Sequence, residues 1–488
     1  MAYMNYLNGK IASFFLGFFV ILFSSIAALY FVHYQLGGYD LSPLIDLHWR
    51  LSNKEVPGKD FINTWPYAVV IAVKLVSWGT LLWRDLTVIN VLAASVIYLL
   101  IASCARNNFP KNWYLLTAIS ISLPLVHTNH LWHSSISQYL AMFYFLATYQ
   151  VLKNKNVEFT DCVFICISSG LLITAKQNIA APMLLFTLLY FTMVRDYRKV
   201  VPFILLGTLS GLILTGVFLS QSIDSFIYLY TSVLGRAKTE LGMYYELAMV
   251  KTHWFAIPLM IIVFFSFYRS TKILILYERA YLYLVSFVCL IPILTDWDTK
   301  WNNLSFPIFV AIVSAYSYSS GSFKIFKRDF LSLSIILLYL VAIYGGVTRE
   351  RMKAVGPFFQ EPANVKLKEG YFKGMYVGEE LNLVLQEIHH VRDRWPSKKI
   401  YFGPRIEFAY LDTQSISPKH FPLYFFPGTS YAKQDNERVA NAFKNANFGV
   451  LVFRKNDRTR IPAEITDFID RNYNLSDQYE SLDVYIQQ

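Results

Sequence analysis

The chain has 488 residues, 55% hydrophobic and 16% charged, with mean hydropathy +0.37 and a formal net charge of +11. Soluble domains carry about one quarter charged residues, so this composition argues against an average water-soluble globule and for the bilayer as solvent. Lys and Arg recur in short clusters between apolar runs and form no single basic stripe, so a nucleic-acid partner is not expected.

In chain order, apolar runs lie at 12–34, 86–104, 113–128, 136–152, 159–175, 179–194, 200–220, 254–268, 275–295, 304–320 and 330–347. Each has the length of a spanning helix, some with tilt or local thinning. The first follows Lys10, is too long for a signal peptide and lacks a small-residue cleavage site, so it reads as a retained span. Every second connection is basic: Arg106 with Lys111, Lys153 with Lys155, Arg195 with Arg198 and Lys199, Arg269 with Lys272, and Lys324 with Lys327 and Arg328. The positive-inside rule places these and the amino terminus in the cytoplasm and the carboxy-terminal residues outside it. The expectation is a polytopic α-helical membrane protein of about eleven transmembrane helices, with a membrane domain at 1–347 and a small α/β domain at 348–488. Segment 67–83 carries Lys74 at its middle and reads as an interfacial helix within a first outer loop, 35–85. Cys104, Cys162, Cys166 and Cys289 all sit within or beside apolar runs, so no disulfide framework is expected.

Gly37-Gly38-Tyr39-Asp40 closes the first run, and Leu44, Leu47 and Leu51 then share one helix face. Asp40 stands at the N-cap position, where capping and a catalytic role are both open. Pro57-Gly58-Lys59-Asp60 and Thr64-Trp65-Pro66-Tyr67 are turn signals. Asp40 and Asp60 would face one membrane surface, where a pair of carboxylates suits a base and an orienter for a hydroxyl nucleophile. Read singly, Asp46 and Asp60 are solvated loop acids. Arg50, on the same loop, is a candidate sugar or acceptor contact.

His130 and His133 have a ligand-like spacing, but no Asp or Glu stands nearby in 127–138. No cofactor is therefore assigned, a divalent metal is disfavoured, and contact with sugar or headgroups, or a plain interfacial role, stands instead. Lys176, after Gly170-Leu171-Leu172 and Thr174-Ala175, is a point-charge partner for a lipid phosphate or a snorkelling lysine. Arg236, Lys238 and Lys300 also suit phosphate, while Trp297 and Asn302 suit a sugar, with an aromatic belt as the plainer reading of the tryptophan.

Beyond residue 345 the sequence becomes charged and mixed. Helices are predicted at 378–394 and 436–445, and strands at 399–402, 449–453 and 482–486. Gly403-Pro404-Arg405 and the aromatic run 421–431 lie between elements, open to acceptor contact or to packing. No phosphate-binding glycine loop, dinucleotide motif, nucleophile elbow or zinc-protease helix is present, so a nucleotide-sugar donor has no visible module.

An acidic residue after the first run, an amphipathic helix, the Gly58-Lys59-Asp60-Phe61 turn leading to Pro66 and an apolar interfacial helix together resemble the GT-C membrane glycosyltransferases. The likeness is to the branch of protein mannosyltransferases, aminoarabinose transferases and phage-type O-antigen glucosyltransferases. It implies a polyprenyl-phosphate sugar donor, with an acid of the first outer loop as base. Asp40 matches that position, Asp60 comes second, and Lys176 matches a donor-phosphate lysine. The second acid that relatives carry at the start of the fourth span is missing here. The resemblance further implies inverting transfer to a cell-envelope glycan or lipid-linked acceptor, O-antigen glucosylation being one instance, by a multi-pass protein of the bacterial inner membrane with a periplasmic carboxy-terminal domain. Its partners would then be donor, acceptor and membrane lipids. Three alternatives are a transporter or flippase of lipid-linked sugars, disfavoured because the charges gather at run ends, a glycan ligase or polymerase, which lacks such an acidic loop, and a non-catalytic assembly subunit.

Overall fold

The computed structural model describes residues 41–76, 84–109, 133–154, 157–232, 276–295, 365–374, 376–428, 430–455 and 461–488, with isolated helical positions at 113–120 and 306–313. The described residues of the first half form helices α1 (Leu41–Ser52), α2 (Tyr67–Val76), α3 (Arg84–Asn108), α4 (His133–Lys153), α5 (Phe159–Leu172), α6 (Gln177–Met193), α7 (Val201–Leu219), α8 (Ile223–Ser232) and α9 (Leu276–Thr295). Helix α4 is the axis of this half. Its residues from Ile136 to Leu152 are buried on every face, which marks a helix enclosed by protein. Phe145 stacks on Tyr149 and Tyr281, and the Thr148 and Tyr281 hydroxyls meet at 2.5 Å, tying α4 to α9.

Helices α5 and α7 approach more closely than side chains normally allow. Gly207 and Gly211, one turn apart on α7, lie against Cys166, Ser169 and Gly170 of α5, and a Cβ on either glycine would strike the α5 backbone. Small residues at this spacing let two helices pack backbone against backbone. The other side of α7 is open: Leu205, Leu206, Leu209, Ile213, Leu214 and Val217 are exposed.

The expectation of about eleven spans is corrected by these helices. Among the described residues only 198–219 is long and apolar enough to cross a membrane, and the protein combines helices with small sheets. The reasons differ from run to run. The run at 159–175 ends at a turn beyond Leu172, leaving 14 residues in α5, and α6 has 17; at 1.5 Å per residue both fall short of a hydrocarbon core about 30 Å thick. Helix α4 interleaves Ser135, Ser137, Gln138, Thr148 and Gln150 among its apolar residues, and these too are buried. Helix α3 begins with Arg84-Asp85 and α9 carries Glu278-Arg279. The runs at 12–34, 254–268 and 330–347, and most of 113–128 and 304–320, lie outside the described residues. The same finding removes the support for a multi-pass inner-membrane placement, which rested on the run count.

The carboxy-terminal residues form a two-stranded ladder, β1 (Val365–Lys366) with β2 (Tyr376–Val377), and a four-stranded sheet. The sheet holds β3 (Ile400–Phe402), β4 (Val450–Arg454), β5 (Tyr473–Gln478) and β6 (Leu482–Gln487) in the order β3-β4-β6-β5. Strands β3 and β4 are parallel, and the β5–β6 hairpin is antiparallel, with β6 lying against β4 in register Val450↔Ile486. Helices α10 (Glu379–Arg394), α11 (Phe408–Asp412), α12 (Asn436–Asn445) and α13 (Ala463–Asn472) complete it. Helix α10 illustrates the sequence logic: Glu379 and Glu380 open it, Arg392 and Arg394 close it, and Leu381, Val384, Leu385, Ile388 and Val391 bury one face. Glu387 interrupts that face and accepts the Glu480 and Ser481 amides, capping the β5–β6 turn.

Candidate functional site at the junction of first loop and sheet region

The first loop is folded onto the carboxy-terminal region. Helix α1 lies along α11, and Ile62 enters the aromatic core of Tyr401, Phe421, Phe425, Phe443 and Phe448. The Ile62 amide donates to the Phe421 carbonyl, the Trp49 indole donates to the Ser415 carbonyl at 2.7 Å, and the His420 amide donates to the Asp60 carbonyl. The aromatic run at 421–431 therefore packs, and Gly403-Pro404-Arg405, with a cis Gly403–Pro404 bond and Arg405 at φ +72°, leads directly into the α1 contact.

Arg50 sits at the centre of this junction. Its Nε donates to Asp46 at 2.7 Å, and its Nη1 donates to Glu55 and to the Pro418 carbonyl, both at 2.9 Å, while the guanidinium lies over the Phe61 ring. All three side chains are buried. Asp46 also accepts the Ser417 hydroxyl at 2.5 Å. Burial pushes Glu55 above the usual carboxylate range against the pull of Arg50, and it pushes His48 down to about 4, leaving a neutral imidazole. Next to this cluster Glu407, 5% exposed, accepts the Ser42 hydroxyl at 2.6 Å and the Arg405 amide at 2.8 Å. Ser42 in turn accepts the Phe408 amide. Burial raises the Glu407 carboxyl to about 7.

Asp60 lies at the rim of the same junction. Its Oδ2 accepts the Val56 amide at 2.8 Å and its Oδ1 is 3.5 Å from the Lys419 ammonium. The Val56 amide, assisted by Lys419, holds Asp60 below the usual carboxylate range, so it stays ionised. Nearby, Gly58, at φ +80°, rests on Ser225 of α8, and Gln221 donates to the Pro57 carbonyl at 2.6 Å. Helix α8 carries this contact in two directions. Its Tyr228 hydroxyl donates to Asp435, and its Tyr230 hydroxyl donates to the Ile173 carbonyl, both at 2.6 Å. Ile173 opens the turn that carries Lys176, whose amide donates to Ser137 of α4.

Of the residues singled out in the sequence, Asp60 and Arg50 thus share the junction, and Lys176 joins it only through α8. Lys74 of α2 donates to the Phe218 carbonyl at 2.5 Å and covers the Phe218 ring, which seats α2 against the end of α7. His133 is the first residue of α4. Asp40, His130, Arg236, Lys238, Trp297, Lys300 and Asn302 lie outside the described residues. Asp46 turns out to be buried, not solvated. Sequence reading passed over Glu407, Ser42, Ser417 and Lys419. Local sequence pointed the other way: Asp46 and Arg50, four apart, fall on the side of the helix away from Leu44, Leu47 and Leu51, where an ion pair is ordinarily solvated. No family model matches the chain, and no curated protein matches it in sequence.

Proposed function

We propose that this chain is a glycosyltransferase that takes its sugar from a polyprenyl-phosphate carrier at a lipid surface. The observation that carries the reading is the state of the first loop: residues 41–65 form an acid-bearing platform anchored on the carboxy-terminal region, where a mere linker would have no such bonds. The outward apolar face of α7 supports contact with lipid, because exposed apolar surface of that extent is costly in water. Only 28% of the most apolar stretch of 198–219 is buried, which separates it from a core helix.

In this reading an acceptor hydroxyl attacks the anomeric carbon, the bond from that carbon to the phosphate oxygen breaks, and configuration inverts. The hydroxyl proton passes to a carboxylate and polyprenyl phosphate departs. Asp40 takes the proton. Asp60, which hydrogen bonding keeps ionised, is a weak base and serves to orient the acceptor. Lys176 faces the departing phosphate as a compact cation. The test is purified full-length protein incubated with a panel of polyprenyl-phosphate sugars and glycan or lipid-linked acceptors, with release of the carrier as readout. Asp40→Asn is expected to abolish release while leaving thermal unfolding unchanged. Absence of release from every pair would overturn the reading, and full activity in Asp40→Asn would remove Asp40 from it.

A further inference from the structure

The junction between α1 and the 403–418 segment holds three buried carboxyl groups, Asp46 and Glu55 on Arg50 and Glu407 on Ser42. Arg50 is committed to the first two at 2.7 and 2.9 Å. Glu407 is served instead by neutral donors, the Ser42 hydroxyl from α1 and the Arg405 amide from its own turn. Among the described residues, the other titratable or charged groups around it are Asp46 and Arg50 on α1, Tyr401 on β3, Arg405 on the turn and Tyr410 on α11. Asp46 opposes a charge on Glu407, and Tyr410 is occupied with the Phe402 amide. A carboxylate so placed has lost its water, and the hydrogen bonds it receives from the described residues come from a hydroxyl and an amide, whereas the neutral acid fits the same space at no Coulombic cost.

We infer that this junction is a proton-operated latch, in which uptake of a proton by Glu407 closes the first loop onto the carboxy-terminal region and its release loosens that contact. The group that titrates bridges two segments some 365 residues apart in sequence, so its charge acts on their docking and not on either segment alone. The sign follows from linkage. The carboxyl rises from 4.5 in the open chain to about 7 in the closed junction. Closure is therefore fully favoured below the lower value and weakens as pH rises through the higher one. Between pH 5.5 and pH 8.5 the closing equilibrium is expected to change about 30-fold. The latch does not depend on the chemistry that the loop performs.

The experiment is hydrogen exchange of the full-length chain across this pH range, corrected for intrinsic exchange, comparing peptides from 41–52 and 403–417 with the 436–445 helix as internal reference. Relative protection of the first two is expected to fall by about 30-fold toward pH 8.5. Glu407→Gln, nearly isosteric and uncharged, is expected to flatten the profile at the protected level. Ser42→Ala removes a donor that favours the charged form and is expected to move the transition to higher pH. A flat wild-type profile, or a Glu407→Gln profile that titrates like wild type, would overturn the latch.

Discussion

Two contacts in this molecule join helices by opposite means. The α1 junction is made of charges and hydrogen bonds: Arg50, Asp46, Glu55, Glu407, Ser42 and Ser417 are all enclosed, and each must find its partner or bear the cost of desolvation. The α5–α7 contact is made of missing side chains, with Gly207 and Gly211 lying on the backbone of α5. The first discriminates sharply, since one misplaced partner leaves a buried charge alone. The second tolerates any neighbour that is flat enough, and its strength comes from dispersion over a close approach. The polar contact therefore sets which segments meet, and the glycine contact sets how near two helices stand.

The largest test of this contrast is Arg50→Met. It strands Asp46 and Glu55 inside the junction, and a loss of about 3–5 kcal/mol is expected for removal of one partner of a buried ion network; chemical denaturation followed by protection of residues 41–62 measures it. Arg50→Met combined with Asp46→Leu and Glu55→Leu should recover most of that loss, because the cost lies in the orphaned charges. Gly207→Val comes next. Its side chain meets the Cys166 carbonyl and Ser169 Oγ, and overpacking of about 1–3 kcal/mol is expected. Thermal unfolding together with a crosslink between α5 and α7 reads it, and an unchanged crosslink yield would mean the helices do not rely on the close approach.

Trp49→Phe is gentler. It removes the indole bond to the Ser415 carbonyl while keeping most of the apolar bulk, for about 1 kcal/mol. The smallest expected effect lies away from both contacts. His389 Nε2 is 2.8 Å from Asp412, which also accepts the Tyr371 amide. The Asp412 carboxylate beside it raises the histidine above its usual range, so its contribution is complete below 6.5 and is lost as pH climbs past the raised value. Exchange at 367–374 should accelerate modestly over that interval in wild type and lose its pH dependence in His389→Gln.

Much of the carboxy-terminal region was legible in local sequence. The predicted helix at 378–394 is Glu379–Arg394, that at 436–445 is Asn436–Asn445, and the strands at 399–402, 449–453 and 482–486 are found at Ile400–Phe402, Val450–Arg454 and Leu482–Gln487. These elements carry their own signals, charged ends and apolar spacing, within a dozen residues. The α1 helix was visible for the same reason. The membrane count was not, because a run of apolar residues says that a segment avoids water without saying whether lipid or protein replaces it. Helix α4 is enclosed by protein, whereas α7 turns most of its surface outward, and both read as apolar runs.

Local sequence showed where polarity changes, the helices at 379–394 and 436–445, the strands β3, β4 and β6, and a first loop with acids and a turn, but not α11, α13, β1, β2 or β5. It took the folded chain to put Asp46 and Arg50 in the interior, Glu407 beside Ser42, and Ile62 in a core more than 330 residues further along the chain. The physical reason is range. Helix periodicity and turn chemistry act over a few bonds, whereas the state of a carboxylate depends on what the fold brings against it after the chain has closed.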